Sequence, residues 1–404
     1  MPPLPASREA TAELERRIER SLSRGLAARW PFPEDEGRRL HLSAGDHLSW
    51  VIESRGGRVV WRARRPRSAD AQVHTDLHTL AELLEGQRSG VELWLKGYLR
   101  VRGSIALALK LEALIQAPRP AHFSRPRRVR AGGIDTFILE AGEQRGSEPP
   151  VILLHGLGAT LASMLPTLAA LSETRRVIAA DLPGFGDSDK PLVAYDARFF
   201  ARWAVDLLDA LGIERASFVG NSMGGRISIE VGLRYPERVA KLALYCPAVA
   251  FRRLRQLVPL VRLARPELGV VPLAVPRRVM LAVMQQIFSK PDRVPAPWFD
   301  AAADEFSRVF ATRRGRIALF SAARQIYLDS PFGDRGFWEQ LRGLTPPALF
   351  VWGDRDVLIP SGFARHVEEA LPSAVSRVLE DCGHVPQFEL PHVLHPLVLS
   401  FLDG

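Results

Sequence analysis

The sequence predicts an α/β fold, a mostly parallel sheet with helices on both faces and a helical cap, preceded by a small α+β domain. Three observations carry this reading. From about residue 133 onward, short continuous apolar runs such as "VILLHG", "RRVIAADLPG", "ASFVGNS", "VAKLALYCP" and "PALFVWGD" alternate with helical stretches such as "RFFARWAVDLLDALG". That is the pattern of a parallel sheet covered on both faces. Between about 246 and 340 the rhythm gives way to apolar, mostly helical sequence with prolines at 259, 266, 272 and 276. An insertion of this kind between two strands reads as a cap over the C-terminal sheet edge, where open α/β sheets bind ligands. Third, a serine in "FVGNSMGGRIS" (218–228) sits between a strand-like run and a helix-like run.

The preceding segment has a different texture. With 404 residues, two domains are expected. The stretch "QAPRPAHFSRPRRVRAGG" (116–133) has three prolines, clustered arginines and little apolar periodicity, so 118–132 reads as a linker. Before it, "RRLHLSAGDHLSWVIE" and "GRVVWRARR" read as short strands with turns at Gly45-Asp46 and Gly56-Gly57. "DLHTLAELLEG" reads as a helix with Asp76 as N-cap and Gly86 as stop. "SGVELWLKGYLRVRGSIALALKLEALIQ" continues as helix, strand, a turn at Gly103 and an apolar-faced helix. The expected division is a helical extension over 1–35, an α+β domain over 36–117, the linker, and the α/β domain over 133–404.

Charge is segregated. Residues 1–130 hold 24 basic and 15 acidic residues, against 30 of each in 131–404, so the first third carries the whole net charge of +9. Two readings stand: a basic surface that meets anionic lipid, or a solvated arginine-rich surface. Five of the 54 basic residues are lysine, so arginine usage itself is skewed. The two cysteines, Cys246 and Cys382, form neither a disulfide framework nor a zinc motif. The start lacks the apolar run of a secretory signal, and no stretch of about 18 apolar residues occurs. The expectation is a cytoplasmic protein, with peripheral membrane contact left open, no nucleic-acid partner and no assignable oligomeric state.

The chemistry follows from the serine. Gly220-Asn221-Ser222-Met223-Gly224 fits G-x-S-x-G, a strand-to-helix turn that lifts the Ser222 hydroxyl above the strand end and aims the positive helix end at it. A serine needs a base to become a nucleophile. His384, in "EDCGHVPQFELP" after a strand-like run, is best placed of the ten histidines. His155 reads as a brace for its loop; His366, His392 and His395 read as surface or packing residues. The acid that orients the histidine is Asp356 in "FVWGDRDVLIP", three residues after Gly353 and four before Pro360, with Asp354 in reserve. Oxyanion donors are expected from the amides of Met223 and of Leu157, with Gly158 next. "GLGATLASM" and "PGFGDSD" lack the Lys-Ser/Thr of a phosphate loop, and no metal-ligand cluster is legible, so no cofactor or metal is expected.

With the order Ser222, Asp356, His384 and the motifs "LLHGLGA", "DLPGFGDSDKP", "GNSMGG" and "CGHVPQFELP", residues 131–404 resemble the α/β-hydrolase superfamily, in particular its bacterial lipase and esterase branch and monoacylglycerol lipases. "LWLKGYLRVRGSIALALKLEALI" resembles the closing part of a sterol carrier protein type 2 domain, in which an amphipathic helix closes over an apolar groove. These resemblances imply a serine hydrolase cleaving lipid-like or medium-chain carboxylic esters, with the N-terminal domain either binding lipid or serving only in packing. The rival enzyme reading is a carbon–carbon bond hydrolase of ring-fission products, for which Arg226 is the candidate carboxylate ligand. A lipid carrier on an inactive hydrolase scaffold is the third. The segment 251–288 is expected to line an acyl pocket.

Overall fold

The computed structural model describes residues 8–45, 48–250, 258–263, 265–273, 275–334 and 336–404. Asp46 of the first expected turn and residues 251–257 of the cap segment lie outside them. The chain forms two compact units, Met1–Arg127 and Arg128–Gly404. No helix among the described residues is long and apolar enough to cross a membrane.

The first unit is built on a five-stranded sheet. Its strands are β1 (Arg39–Ala44), β2 (Leu48–Arg55), β3 (Arg58–Arg62), β4 (Ala71–Thr75) and β5 (Arg100–Gly103), in the order β3-β2-β1-β4-β5. β1 and β4 run parallel and the other pairs antiparallel. The β2–β3 hairpin turns on Gly56 and Gly57, both at positive φ, as a two-residue loop of matching twist requires. Asp76 caps the helix Leu77–Leu84 by accepting from Thr79 N at 2.9 Å. Residues 8–35 belong to the unit's own packing: Ile18 and Leu22 of the helix Arg8–Arg24 are buried, and Arg17 pairs with Glu85 at 2.6 Å.

The helix Ile105–Leu114 departs from the amphipathic helix expected. It has no water-facing polar stripe, because its charged residues are buried as well. Lys110 is fully enclosed, with its ammonium 2.7 Å from Asp35, 3.1 Å from Glu34 and 4.6 Å from the Phe32 ring centre. Buried Glu112 accepts from Gly90 N at 2.7 Å, Ser124 Oγ at 2.8 Å and Arg119 at 3.2 Å, so it ties the start of the helix Gly90–Leu95 to the chain beyond 116. Burial, working against these partners, raises its carboxyl above the ordinary range.

The second unit is built on an eight-stranded sheet of β6 (Arg125–Ala131), β7 (Ile134–Ala141), β8 (Val151–Leu154), β9 (Val177–Ala180), β10 (Ala216–Asn221), β11 (Val239–Tyr245), β12 (Ala348–Gly353) and β13 (Val375–Leu379), in the order β13-β12-β11-β10-β8-β9-β7-β6. β8 through β13 are parallel, and β7 pairs antiparallel with β9. Part of the stretch read as a linker is therefore strand. β6 is an edge strand, where proline and outward arginines are tolerated because one side of the ladder goes unpaired. The central strands are buried along their whole length, as sheets covered on both faces are. Between β11 and β12 lies the cap, with helices Val258–Leu263, Arg277–Gln286, Ala296–Ala311 and Arg313–Tyr327.

Candidate active site

Ser222 stands between β10 and the helix Met223–Arg234 at φ 54°, ψ −114°, a backbone region an L-residue adopts only under strain. The turn tolerates no bulk beside it. A Cβ on Gly220 would fall 2.4 Å from the carbonyl carbon of Gly224, and one on Gly224 would fall 2.1 Å from Leu154 O. The turn is pinned through Ser222 N to Tyr245 O (2.9 Å) and Ala248 N to Ser222 O (2.9 Å). Asn221, the first x of the motif, donates through Nδ2 to Tyr245 O and to His384 O, both at 3.1 Å. It thereby holds the serine turn and the histidine loop together.

His384 follows β13 and Asp356 follows β12. The two are joined by a 2.7 Å bond between His384 Nδ1 and Asp356 Oδ2. The other carboxylate oxygen, Oδ1, accepts from Leu358 N (2.8 Å) and Ile359 N (2.9 Å), which fixes the acid's orientation. Both side chains are buried, and no protein group among the described residues takes up His384 Nε2. Asp354, the reserve acid, instead accepts from Cys382 N at 3.1 Å. The loop around His384 is clamped by His384 N to Ile287 O (2.8 Å) and by buried Glu389, which accepts from Gly383 N (2.8 Å) and Ser289 N (2.7 Å).

Among the described residues, no protein acceptor engages the amide of Leu157 or of Met223. The loop carrying Leu157 is braced by His155, whose Nε2 accepts from Leu182 N at 3.0 Å; its Nδ1 therefore carries the proton and donates to Gly156 O at 2.8 Å. Burial pulls His155 down to about 4, so it stays neutral. Gly158 lies at φ +73°, and a Cβ there would strike Phe306 of the cap at 2.3 Å.

Two neighbours, Tyr327 and Cys246, carried no readable sequence signal as site residues, and a third, Arg226, was a candidate only for the carbon–carbon hydrolase reading. Tyr327, at the end of the cap helix Arg313–Tyr327, places its hydroxyl 3.0 Å from Ser222 Oγ. Burial pushes that phenol up to about 12, so it stays protonated and able to donate. The Cys246 thiol lies within 4.8 Å of the ring and carboxylate atoms of His384 and Asp356. Burial first, then the Asp356 charge, push the thiol well up, which leaves it neutral and a poor metal ligand. Arg226 is buried with both terminal nitrogens taken, by Glu230 at 2.8 Å and Asp329 at 2.7 Å, and lies over the Phe337 ring.

A strained serine on a strand-to-helix turn, a buried His–Asp pair at two later strand ends and a capped parallel sheet define the class of α/β hydrolases. The chain belongs to that family: residues 149–391 match the family model described as alpha/beta hydrolase fold. Residues 35–116 match the SCP-2 sterol transfer family. Among the relatives is the dihydrolipoyllysine-residue acetyltransferase component of the acetoin cleaving system of Pseudomonas putida, 34% identical over 71% of this chain and 70% of that protein. Another is the 2-hydroxymuconate semialdehyde hydrolase of Pseudomonas putida, 31% identical over 68% of this chain and 93% of that protein. The crystal structure of a membrane phospholipase A, a bacterial virulence factor, aligns with TM-score 0.58 and 28% identity over 70% of this chain and 86% of that chain.

Proposed function

We propose that the protein is a serine hydrolase cleaving carboxylic esters with lipid-like or medium-chain acyl groups. The observation that carries this is the 2.7 Å His384–Asp356 bond, with no protein partner on His384 Nε2 among the described residues and with Asn221 joining the His384 loop to the elbow that carries Ser222. Ser222 Oγ attacks the ester carbonyl while its proton passes to His384 Nε2. Asp356 stabilises the imidazolium through Nδ1–H. The amides of Leu157 and Met223 receive the oxyanion. Collapse expels the alkoxide, which takes the proton from His384; water, deprotonated by the same ring, then cleaves the acyl-enzyme. A fluorophosphonate probe should label the protein, and Ser222→Ala should abolish labelling. Absence of labelling in the intact chain would favour a carrier on an inactive scaffold.

Carbon–carbon bond hydrolysis is the second reading, favoured by the 31% identity to 2-hydroxymuconate semialdehyde hydrolase. Against it, Arg226, the candidate for a substrate carboxylate, is already neutralised by Glu230 and Asp329. Parallel assays on a p-nitrophenyl ester and a ring-fission product decide between them.

The N-terminal unit is proposed to bring the enzyme to anionic lipid and to hold an acyl chain for it. On one face of its sheet, cross-strand register collects Arg39, Arg55, Arg58, Arg62, Arg100 and Arg102 against a single acid, Glu53. Such a face attracts anionic headgroups by roughly 1 kcal/mol per well-placed arginine and is screened by salt. Arg58→Glu with Arg100→Glu should lower co-sedimentation with phosphatidylglycerol vesicles, and salt should do the same to the unaltered protein; binding insensitive to both removes the sheet from the reading.

A further inference from the structure

The cap carries a surface that water does not account for. Fifteen large apolar residues are exposed among those described, and seven of them fall between Leu263 and Val283: Leu263, Leu268, Val270, Val271, Leu273, Val279 and Val283. Leu263 is 70% exposed and Val283 56%. Isolated exposed apolar residues are ordinary, but a run concentrated in one short segment marks an interaction surface. The helix Arg277–Gln286 shows the design most plainly. Met280 is buried on its inner side, while Val279, Ala282 and Val283, spaced three and four residues apart, face solvent. A helix apolar on both sides is made to be covered on both.

The charges within this surface are also selected. Arg262, Arg265 and Arg278 are exposed in it, with Glu267 as the one exposed acid. Arg277 is already paired with Asp300 and Asp304. Short aliphatic side chains interleaved with arginines match the boundary between acyl chains and anionic headgroups, where aliphatic groups enter and guanidinium groups stay at the phosphate level. Nucleic acid offers nothing to the valines and leucines.

The surface is also wired to the chemistry. Directly past the helix Arg277–Gln286, Ile287 O accepts the backbone N–H of His384 at 2.8 Å. Glu389 bridges Ser289 N and Gly383 N, and Lys290 pairs with Asp381 at 2.6 Å. The helix that shows Val279 and Val283 to solvent therefore ends on the loop that holds the candidate base. We infer that the cap face spanning 262–283 docks the hydrolase unit onto an anionic lipid surface, and that this docking bears on the position of the His384 loop. The inference rests on the ester-hydrolase reading for its benefit to turnover, but not for the docking itself.

The test uses the full chain with Val283→Cys carrying an environment-sensitive dye. Cys246 and Cys382 are buried, so the label goes to position 283. Phosphatidylcholine vesicles containing phosphatidylglycerol should blue-shift the dye at 283, and should not shift the same dye placed by Val393→Cys, an exposed site outside the cap. Co-sedimentation without a shift at 283 would overturn the inference, since the N-terminal unit alone would then be binding. A shift that appears without vesicles and grows with protein concentration would overturn it in favour of a second copy of the chain. In a second arm, Val279→Asp with Val283→Asp should lower turnover of a long-chain ester in vesicles about tenfold. Turnover of a soluble short-chain ester should be unchanged, as it should be in Leu192→Asp with Val193→Asp, the matched exposed control. If soluble turnover is absent in the unaltered protein, the ester reading fails while the dye still reports docking. If the cap variant keeps full vesicle turnover, the docking inference falls and the ester reading stands.

Discussion

Both units bury a hydrogen-bonded pair of one basic and one acidic side chain at the same separation, yet the pairs are built to opposite ends. In the N-terminal unit Lys110 and Asp35 meet at 2.7 Å, and every valence around them is closed: Glu34 and the Phe32 ring take up the ammonium, and Arg38 takes the other carboxylate oxygen at 2.7 Å. In the hydrolase unit His384 and Asp356 also meet at 2.7 Å, but no protein group among the described residues takes up the ring's Nε2, and Asn221, next to the strained Ser222, ties the serine turn to the His384 loop. A closed pair holds a fold, because either partner alone would be an uncompensated buried charge. An open pair can exchange a proton. The difference lies in whether neighbouring side chains take up the base: Glu34 and the Phe32 ring do so at Lys110, and none among the described residues does so at His384 Nε2.

The largest effect is expected where the open pair is cut. Asp356→Asn should lower kcat on a soluble ester by about 10⁴, since the ring loses its orientation and the partner of its charged form. Asp354→Asn should cost less than about tenfold, because Asp354 serves the Cys382 amide. The reverse ranking would move the acid to Asp354.

Cutting the closed pair should act on stability and not on chemistry. Lys110→Met should destabilise the N-terminal unit by about 3 kcal/mol, toward the low end for a broken buried pair because Arg38 stays with Asp35. Soluble-ester turnover should be unchanged, and adding Asp35→Leu should restore most of the loss in calorimetry. A parallel loss of turnover would break the contrast.

His395 sharpens the comparison as a buried ring with no catalytic part. It lies 3.3 Å from Thr167 Oγ, and burial pulls it down to about 4. Between about pH 6.5 and 4 the unfolded chain binds a proton here that the folded one does not, so the contribution is full above 6.5 and is lost on acidification. At about pH 5.5 the difference should approach 1.4 kcal/mol. His395→Gln should flatten the acid limb of the stability curve by that amount; an unchanged limb would mean the ring is protonated in place.

The smallest effect belongs to Tyr327→Phe. It removes one hydrogen bond to Ser222 worth about 1 kcal/mol, so acylation should change by about fivefold with KM little altered. No change in single-turnover acylation would leave Tyr327 as packing.

What the sequence allowed and what it hid follow one physical line. Ser222 and Asp356 were proposed from local signals, an apolar strand followed by glycines and turn residues, and His384 from a glycine loop a few residues past β13, so short-range pattern was enough to nominate all three. Tyr327 reaches Ser222 across 105 residues by the packing of a cap helix, and nothing in its neighbours marks it. The burial of Lys110 was equally hidden, since its partner Asp35 lies 75 residues away, and that of Glu112 because its partner Ser124 sits in the stretch that reads as linker. β6 was read as linker because an arginine- and proline-bearing edge strand has the composition of a loop.

The elbow at Ser222 also sets folding stability against the proposed chemistry at a single residue. Its φ of 54° is a conformation that costs an L-residue about 1–2 kcal/mol and glycine almost nothing. A chain kept only as a scaffold would gain stability from glycine at this position and would lose nothing by the exchange. Ser222→Gly should therefore raise the stability of the hydrolase unit by about 1–2 kcal/mol while removing the hydroxyl, so fold and proposed chemistry ask for different residues at this one position.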